Sequence, residues 1–341
     1  MKNKKSFQFL LILVVIAIVN SAYIGAAVAS YVDVDERLER LEGEDRFDTA
    51  KEISLYAYDQ ADTVIIARGD VLFDALAGST LAGVLDAPIL LTMPEYLPER
   101  TEEAITELGA ANAVILGGEA AVWQPVFERL DEDFEMDVSR YEGDNRFETA
   151  AEIARGVAVE LDENFGDEAF VVSGTVIPDA LTIGSYASAS GKPILLVHPD
   201  RVPEETNEVM DELELTKTTI IGGTAVVSEK VEEKLPDTER VYGENRLETS
   251  VEVAKEYFHP PETVIFASGL DENLVDAMAG SYLGGMLDAP ILYCHEASVA
   301  LKYFYTIVTQ DTMAYILGGT AAVSEDCEEA IYIGLHPDLS P

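Results

Sequence analysis

One unit is written three times in this chain, and that repetition constrains the fold more than any other feature. Gly43-Glu44-Asp45-Arg46-Phe47-Asp48-Thr49-Ala50 returns as Gly143-Asp144-Asn145-Arg146-Phe147-Glu148-Thr149-Ala150. It returns again as Gly243-Glu244-Asn245-Arg246-Leu247-Glu248-Thr249-Ser250, with the arginines 100 residues apart each time. Three further markers keep step. An Asp-Ala pair begins at Asp74, Asp179 and Asp276, and a Pro-Ile-Leu run opens 14 residues later at Pro88, Pro193 and Pro290. A Gly-Gly pair then falls at Gly117-Gly118, Gly222-Gly223 and Gly318-Gly319. The repeats are bounded as 36–134, 137–235 and 237–341, and they leave no stretch of this sequence for a catalytic domain of its own.

Within each copy, strands and helices alternate. Val64 to Ala67, Pro88 to Leu91 and Ala113 to Leu116 are short, unbroken apolar runs of the kind that suits parallel strands covered on both faces. Helical stretches such as Thr49 to Tyr58 and Glu102 to Leu108 lie between them. A weaker strand precedes each Gly-x-x-Arg, at Arg37–Glu42, Val138–Glu142 and Glu239–Tyr242. The fold class is therefore α/β, with three tandem Rossmann-like modules, each with its own parallel sheet.

Charge narrows the partners. Against 64 acidic side chains stand 22 basic ones, a net charge of −42. Such a field repels nucleic acid, and no Lys/Arg cluster counters it. It equally disfavours an electrostatic hold on anionic lipids. Lys2, Lys4 and Lys5, an apolar run from Phe9 to Val19 and the small-x-small Ala27-Val28-Ala29 read as a signal peptide over 1–29. An uncleaved membrane anchor over the same residues is the competing reading, and the only route to a membrane. Either way the chain is expected outside the cell, secreted or at the cell surface. There Cys294 and Cys327 can pair or stay as separate buried thiols. Two cysteines at that separation do not make a zinc site, and no metal site is expected.

The motifs carry their own chemistry. Asp45, Asn145 and Asn245 are N-cap residues followed three later by an acid. That puts Arg46, Arg146 and Arg246 on a first helical turn, where a cation opposes the helix dipole. Two readings fit: an ion pair inside each repeat, to Asp74, Asp179 or Asp276, or a clamp on an anionic ligand. Ala75, Ser79 and Gly83, with Ala180, Gly184, Ser188 and Ala277, Ser281, Gly285, stand four apart and make a narrow helix face for close packing between modules. Gly117-Gly118, Gly222-Gly223 and Gly318-Gly319 are tight turns, or an anion-binding nest, at strand ends. Ser228 and Ser324 fit as N-caps beyond them, where the first copy has Trp123, a residue able to stack on a sugar ring. His198 and His295 share a repeat position that is Met93 in copy one, and no catalytic histidine constellation recurs. No catalytic residue and no organic cofactor is assigned.

Taken together, Phe73-Asp74-Ala75-Leu76-Ala77-Gly78-Ser79, Ala87-Pro88-Ile89-Leu90-Leu91, Leu116-Gly117-Gly118 and Gly43-x-x-Arg46-Phe47-x-Thr49-Ala50 resemble the cell-wall-binding repeat 2 family. All three copies match, from about Arg37 to the final helix. The resemblance implies a pseudo-threefold arrangement of the modules and non-covalent attachment to an anionic cell-wall polymer. Copy three departs from the pattern: Pro98-Glu99-x-Thr101 and Pro203-Glu204-x-Thr206 have no counterpart over Ala297–Tyr305. The expected function is an exported, non-catalytic surface protein that holds cell-wall or envelope polysaccharide. For so acidic a chain, an anionic polymer requires a local arginine site, high salt or bridging divalent cations. The alternatives are a surface-layer or protein-partner component, and a sugar- or nucleotide-acting enzyme on the Rossmann-like frame.

Overall fold

A computed structural model describes residues 37–295 and 298–337, and the proposed signal peptide lies outside them. Among the described residues no helix is long and apolar enough to cross a membrane.

The first repeat runs β1 (Leu38–Leu41), α1 (Arg46–Ala57), β2 (Thr63–Arg68), α2 (Phe73–Val84), β3 (Ile89–Thr92), α3 (Glu99–Leu108), β4 (Asn112–Leu116) and α4 (Gln124–Glu128), with a π turn over Arg129–Asp133. The second follows the same order: β5 (Asp137–Tyr141), α5 (Arg146–Leu161), β6 (Glu168–Ser173), α6 (Pro178–Leu181), α7 (Gly184–Ser190), β7 (Ile194–Val197), α8 (Glu204–Glu212), β8 (Lys217–Ile221) and α9 (Glu229–Glu232). The third comprises β9 (Thr238–Val241), α10 (Arg246–Tyr257), β10 (Thr263–Ser268), α11 (Leu274–Ala279), α12 (Ser281–Met286), β11 (Ile291–Cys294), α13 (Val299–Ile307), β12 (Met313–Leu317) and α14 (Glu325–Leu335). The Asp-Ala helix is continuous in the first repeat and broken into two in the others.

Three four-stranded parallel sheets result, ordered β3-β2-β4-β5, β7-β6-β8-β9 and β11-β10-β12-β1. The sheets are out of phase with the sequence repeat. Each takes its outer strand from the start of the next copy, and the third sheet takes β1, which pairs Leu38–Leu41 with Ala314–Leu317. The ends of the repeat array are thus hydrogen-bonded together.

Strand alternation sorts side chains into separate cores. In the second repeat Phe170, Val172, Ile194 and Leu196 join a central cluster shared by all three repeats. Their neighbours Val171, Leu195 and Val197 enter an outer cluster of that repeat alone. Both strand faces are buried, so the strands read as unbroken apolar runs.

The centre is made by α2, α7 and α12, each packed on the other two. The small-residue face makes this approach feasible. A Cβ on Gly83 would lie 2.0 Å from the Ser188 carbonyl oxygen, and one on Gly285 would lie 2.7 Å from Ser188 Oγ. Ser281 Oγ donates to Ser79 Oγ at 3.0 Å across the same junction. The modules therefore stand in a pseudo-threefold arrangement around these helices.

Candidate functional site

Each Gly-x-x-Arg segment is a helix start built alike three times. Asp45 Oδ1 accepts the amides of Phe47 and Asp48 at 2.8 and 3.0 Å. Asn145 and Asn245 cap α5 and α10 in the same way. The acid three residues on reaches one position further back than a capping box requires, to Glu44, Asp144 and Glu244 N–H. This fixes the backbone from which the arginine projects.

The arginines then grip the strand-end turns of their own repeats. Arg46, Arg146 and Arg246 Nη1 donate to the carbonyls of Gly69, Gly174 and Gly269 at 2.7, 2.9 and 2.8 Å. The aspartates they face belong to the neighbouring repeat, which corrects the expectation of an intra-repeat pair. Asp74 feels Arg146, Asp179 feels Arg246, and Asp276 feels Arg46, so the pattern runs cyclically around the axis. None of these comes within direct ion-pairing distance among the described residues. Desolvation dominates: it pushes the Asp74 and Asp276 carboxyls up to about 6 against the arginines' opposing pull. Burial likewise raises Asp179.

The arginines differ in what else they touch. Arg246 also pairs with Asp271 of its own repeat. Arg146 lies 4.0 Å over the Phe73 ring of the first repeat, a cation–π contact across the module boundary. Both line a cavity of about 550 Å³ whose walls come from all three repeats: Asp70–Phe73, Thr175–Pro178, and Asp271 with Leu274. It opens beyond the carboxyl ends of β2, β6 and β10, the usual place for ligands on parallel sheets. Arg46 is not among its lining residues.

The Gly-Gly turns serve a different role. Gly117, Gly222 and Gly318 have φ of +94°, +116° and +91°, and a Cβ on Gly117 or Gly318 would lie 2.6 or 2.3 Å from Asp74 or Asp276 Oδ2. The turn thus needs glycine for its φ and for the carboxyl pressed against it. A Cβ on Gly118 or Gly319 would meet Glu142 or Glu42 Oε2 at 3.4 or 3.1 Å, and Gly223 faces Tyr242.

A second arginine series escaped the motif reading. Arg140 and Arg240 Nη1 donate to the Gly117 and Gly222 carbonyls at 2.6 and 2.7 Å, and Arg40 reaches Gly318 O at 2.6 Å. Arg40 and Arg240 add Glu328 and Glu232 as carboxylate partners. The signal was present, since these arginines keep the same 100-residue spacing.

Other sequence candidates disperse. Ser324 caps α14 through the Cys327 amide, whereas Ser228 and Trp123 stand at N-cap positions without a side-chain cap. Trp123 is 45% exposed. His198 packs against Phe147, with ring centroids 4.2 Å apart and the ring planes tilted by 46°.

A family model described as cell wall binding domain 2 matches residues 40–127, 140–232 and 240–328. The chain is 27% identical over 291 residues to N-acetylmuramoyl-L-alanine amidase LytC of Bacillus subtilis (strain 168), covering 85% of this chain and 57% of that protein. It is 30% identical over 298 residues to the amidase enhancer of the same organism, covering 86% and 40%. In structure it is similar to Cwp8 from Clostridium difficile, with a TM-score of 0.79 at 28% identity over 93% of this chain and 55% of that one. Cwp6 from Clostridium difficile gives a TM-score of 0.73 at 27% identity, over 83% and 45%. The chain thus spans roughly half the length of these relatives. It belongs to the cell wall binding domain 2 family, of which it carries three tandem copies.

Proposed function

We propose that this protein binds a cell-wall polymer non-covalently at the cell surface, and that it does so without catalysing a reaction on it. The family membership supports the wall as partner. The observation that carries the site is Arg146, whose guanidinium is clamped by Gly174 O and Phe73 and lines the three-repeat cavity, with Asp74 acting on it from beyond ion-pairing distance among the described residues. In so acidic a chain this is where an anionic or hydroxyl-rich polymer segment finds a fixed donor fork. Arg246 contributes beside it, partly neutralised by Asp271. Asp74, Asp179 and Asp276 act as positioning groups behind the arginines. Glu42 and Glu142 stand beside two of the Gly-Gly turns, which makes those turns poorer places for an anion than Arg146.

Sedimentation with purified cell-wall sacculi tests this reading. Arg146→Gln should weaken binding about 10- to 100-fold, the loss expected for charge-assisted hydrogen bonds. Arg46→Gln removes an equivalent strut outside the cavity and should leave binding intact. Equal binding by parent and Arg146→Gln, with both melting normally, would place the polymer elsewhere. A parallel arm with a chelator asks whether divalent cations bridge the carboxylates of protein and polymer.

A further inference from the structure

The third repeat differs from its siblings in how its outer layer is tied together. In the first two repeats a buried threonine joins helix to strand: Thr101 Oγ1 donates to Leu91 O at 2.6 Å and Thr206 Oγ1 to Leu196 O at 2.8 Å. The third repeat has Leu301 at that place, so this tie is lost.

A different pair stands close by. Cys294 ends β11, and Cys327 lies in the first turn of α14. The corresponding positions are Val197 and Val231 in repeat two, both in its outer core, and Thr92 and Val126 in repeat one. The fold therefore places these two positions in one apolar cluster in the second and third copies. In repeat three both thiols are buried among Phe266, Phe304 and Ile331. No disulfide joins them in this structure, and their side chains are hydrogen-bonded to one another.

We propose that Cys294 and Cys327 form a disulfide-forming site, a covalent staple between the end of β11 and the start of α14 in the one repeat that lacks the threonine tie between its α13 helix and β11. Access favours one order of events. Cys327 lines a cavity of about 500 Å³ between α13 and α14, together with Leu301, Tyr305 and Ala330. Cys294 does not line it, and its thiol is pushed up by the Cys327 hydrogen bond and by burial. The Cys327 thiolate attacks one sulfur of a small disulfide, which expels one small thiol and leaves a mixed disulfide. Cys294 then gives up its proton and attacks the Cys327 sulfur, expelling the second small thiol. Two protein thiols and one small disulfide thus yield one protein disulfide and two small thiols, and the protein loses two electrons and two protons. The bond would close a loop of about 33 residues, enough to constrain the unfolded chain appreciably.

The folded protein, incubated with oxidised glutathione, is denatured, treated with iodoacetamide and weighed by mass spectrometry. The expected product has lost two hydrogens and takes up no alkyl group, and a tryptic digest joins the Cys294 and Cys327 peptides. Its melting temperature should exceed that of the reduced protein by about 5–10 °C. A Cys294→Val/Cys327→Val variant, which copies repeat two, should melt identically with and without the oxidant. Two alkylated cysteines after incubation, or a glutathione adduct that persists on Cys327, would overturn the proposal. None of these readings depends on polymer binding.

Discussion

Asp276 offers the sharpest test of how the module junctions are built. It is 7% exposed, and desolvation raises its carboxyl to about 6 in the folded protein despite Arg46. The unfolded reference is about 3.9. Between those values the native state holds more protons than the unfolded one, so this group's contribution to stability is greatest at low pH and is lost as pH rises through about 6. A difference of about two units corresponds to about 3 kcal/mol. Asparagine cannot ionise, so Asp276→Asn should escape the loss. Relative to the parent, the variant should gain about 3 kcal/mol between about pH 4 and about pH 7. The assay is urea unfolding followed by circular dichroism for both proteins across that range at fixed salt. The raw parent curve mixes signs, because Asp70, Glu103 and Glu205 are held low by their partners and lose their contribution as pH falls. The difference between the two proteins isolates Asp276. A difference that stays flat with pH would show that the carboxyl is hydrated or fully neutralised by Arg46.

Gly83→Ala should destabilise by about 1–3 kcal/mol through overpacking against the Ser188 carbonyl, read as a fall in melting temperature; an unchanged value would mean that the central helices yield easily. Arg240→Gln should cost about 1–2 kcal/mol in denaturant unfolding, because it removes the fork that holds the Gly222 carbonyl while the partly exposed Glu232 is left to water. The melting temperature of the parent should rise as sodium chloride goes from about 0.05 to about 0.5 M, since screening relaxes repulsion among the carboxylates; a fall over that range would count against a charge-strained surface.

Much of the fold was legible because the strands are buried on both faces and the repeat supplies three readings of each element. The runs at Val64–Ala67 and Ala113–Leu116 sit inside β2 and β4, and Asp45, Asn145 and Asn245 cap as their residue types suggest. Two things escaped for physical reasons. The strand before each Gly-x-x-Arg looked like the first strand of its own repeat, yet it completes the previous sheet, because pairing partners are chosen in space and periodicity carries no phase. The cyclic match of Asp74 with Arg146 was hidden for the same reason: a period of 100 residues fits a partner in the same repeat and one in the next equally well. Phe73 under Arg146 has no aromatic counterpart, with Pro178 and Leu274 or Val275 in its region, and only the folded chain singles it out.

The pairing of β1 with β12 has a consequence for how such chains change over time. An open solenoid can gain or lose a repeat at little cost, since each unit touches only its neighbours and an end unit can be copied freely. Here the last sheet is completed by the first strand, and three small-residue helices already fill the axis. A duplicated unit would find no vacant place at the axis and would separate the two ends that must meet. Deleting one would leave two helices unable to enclose it. Copy number is therefore held at three by geometry, and variation is directed into the sequences of individual repeats, as the third repeat's cysteines illustrate.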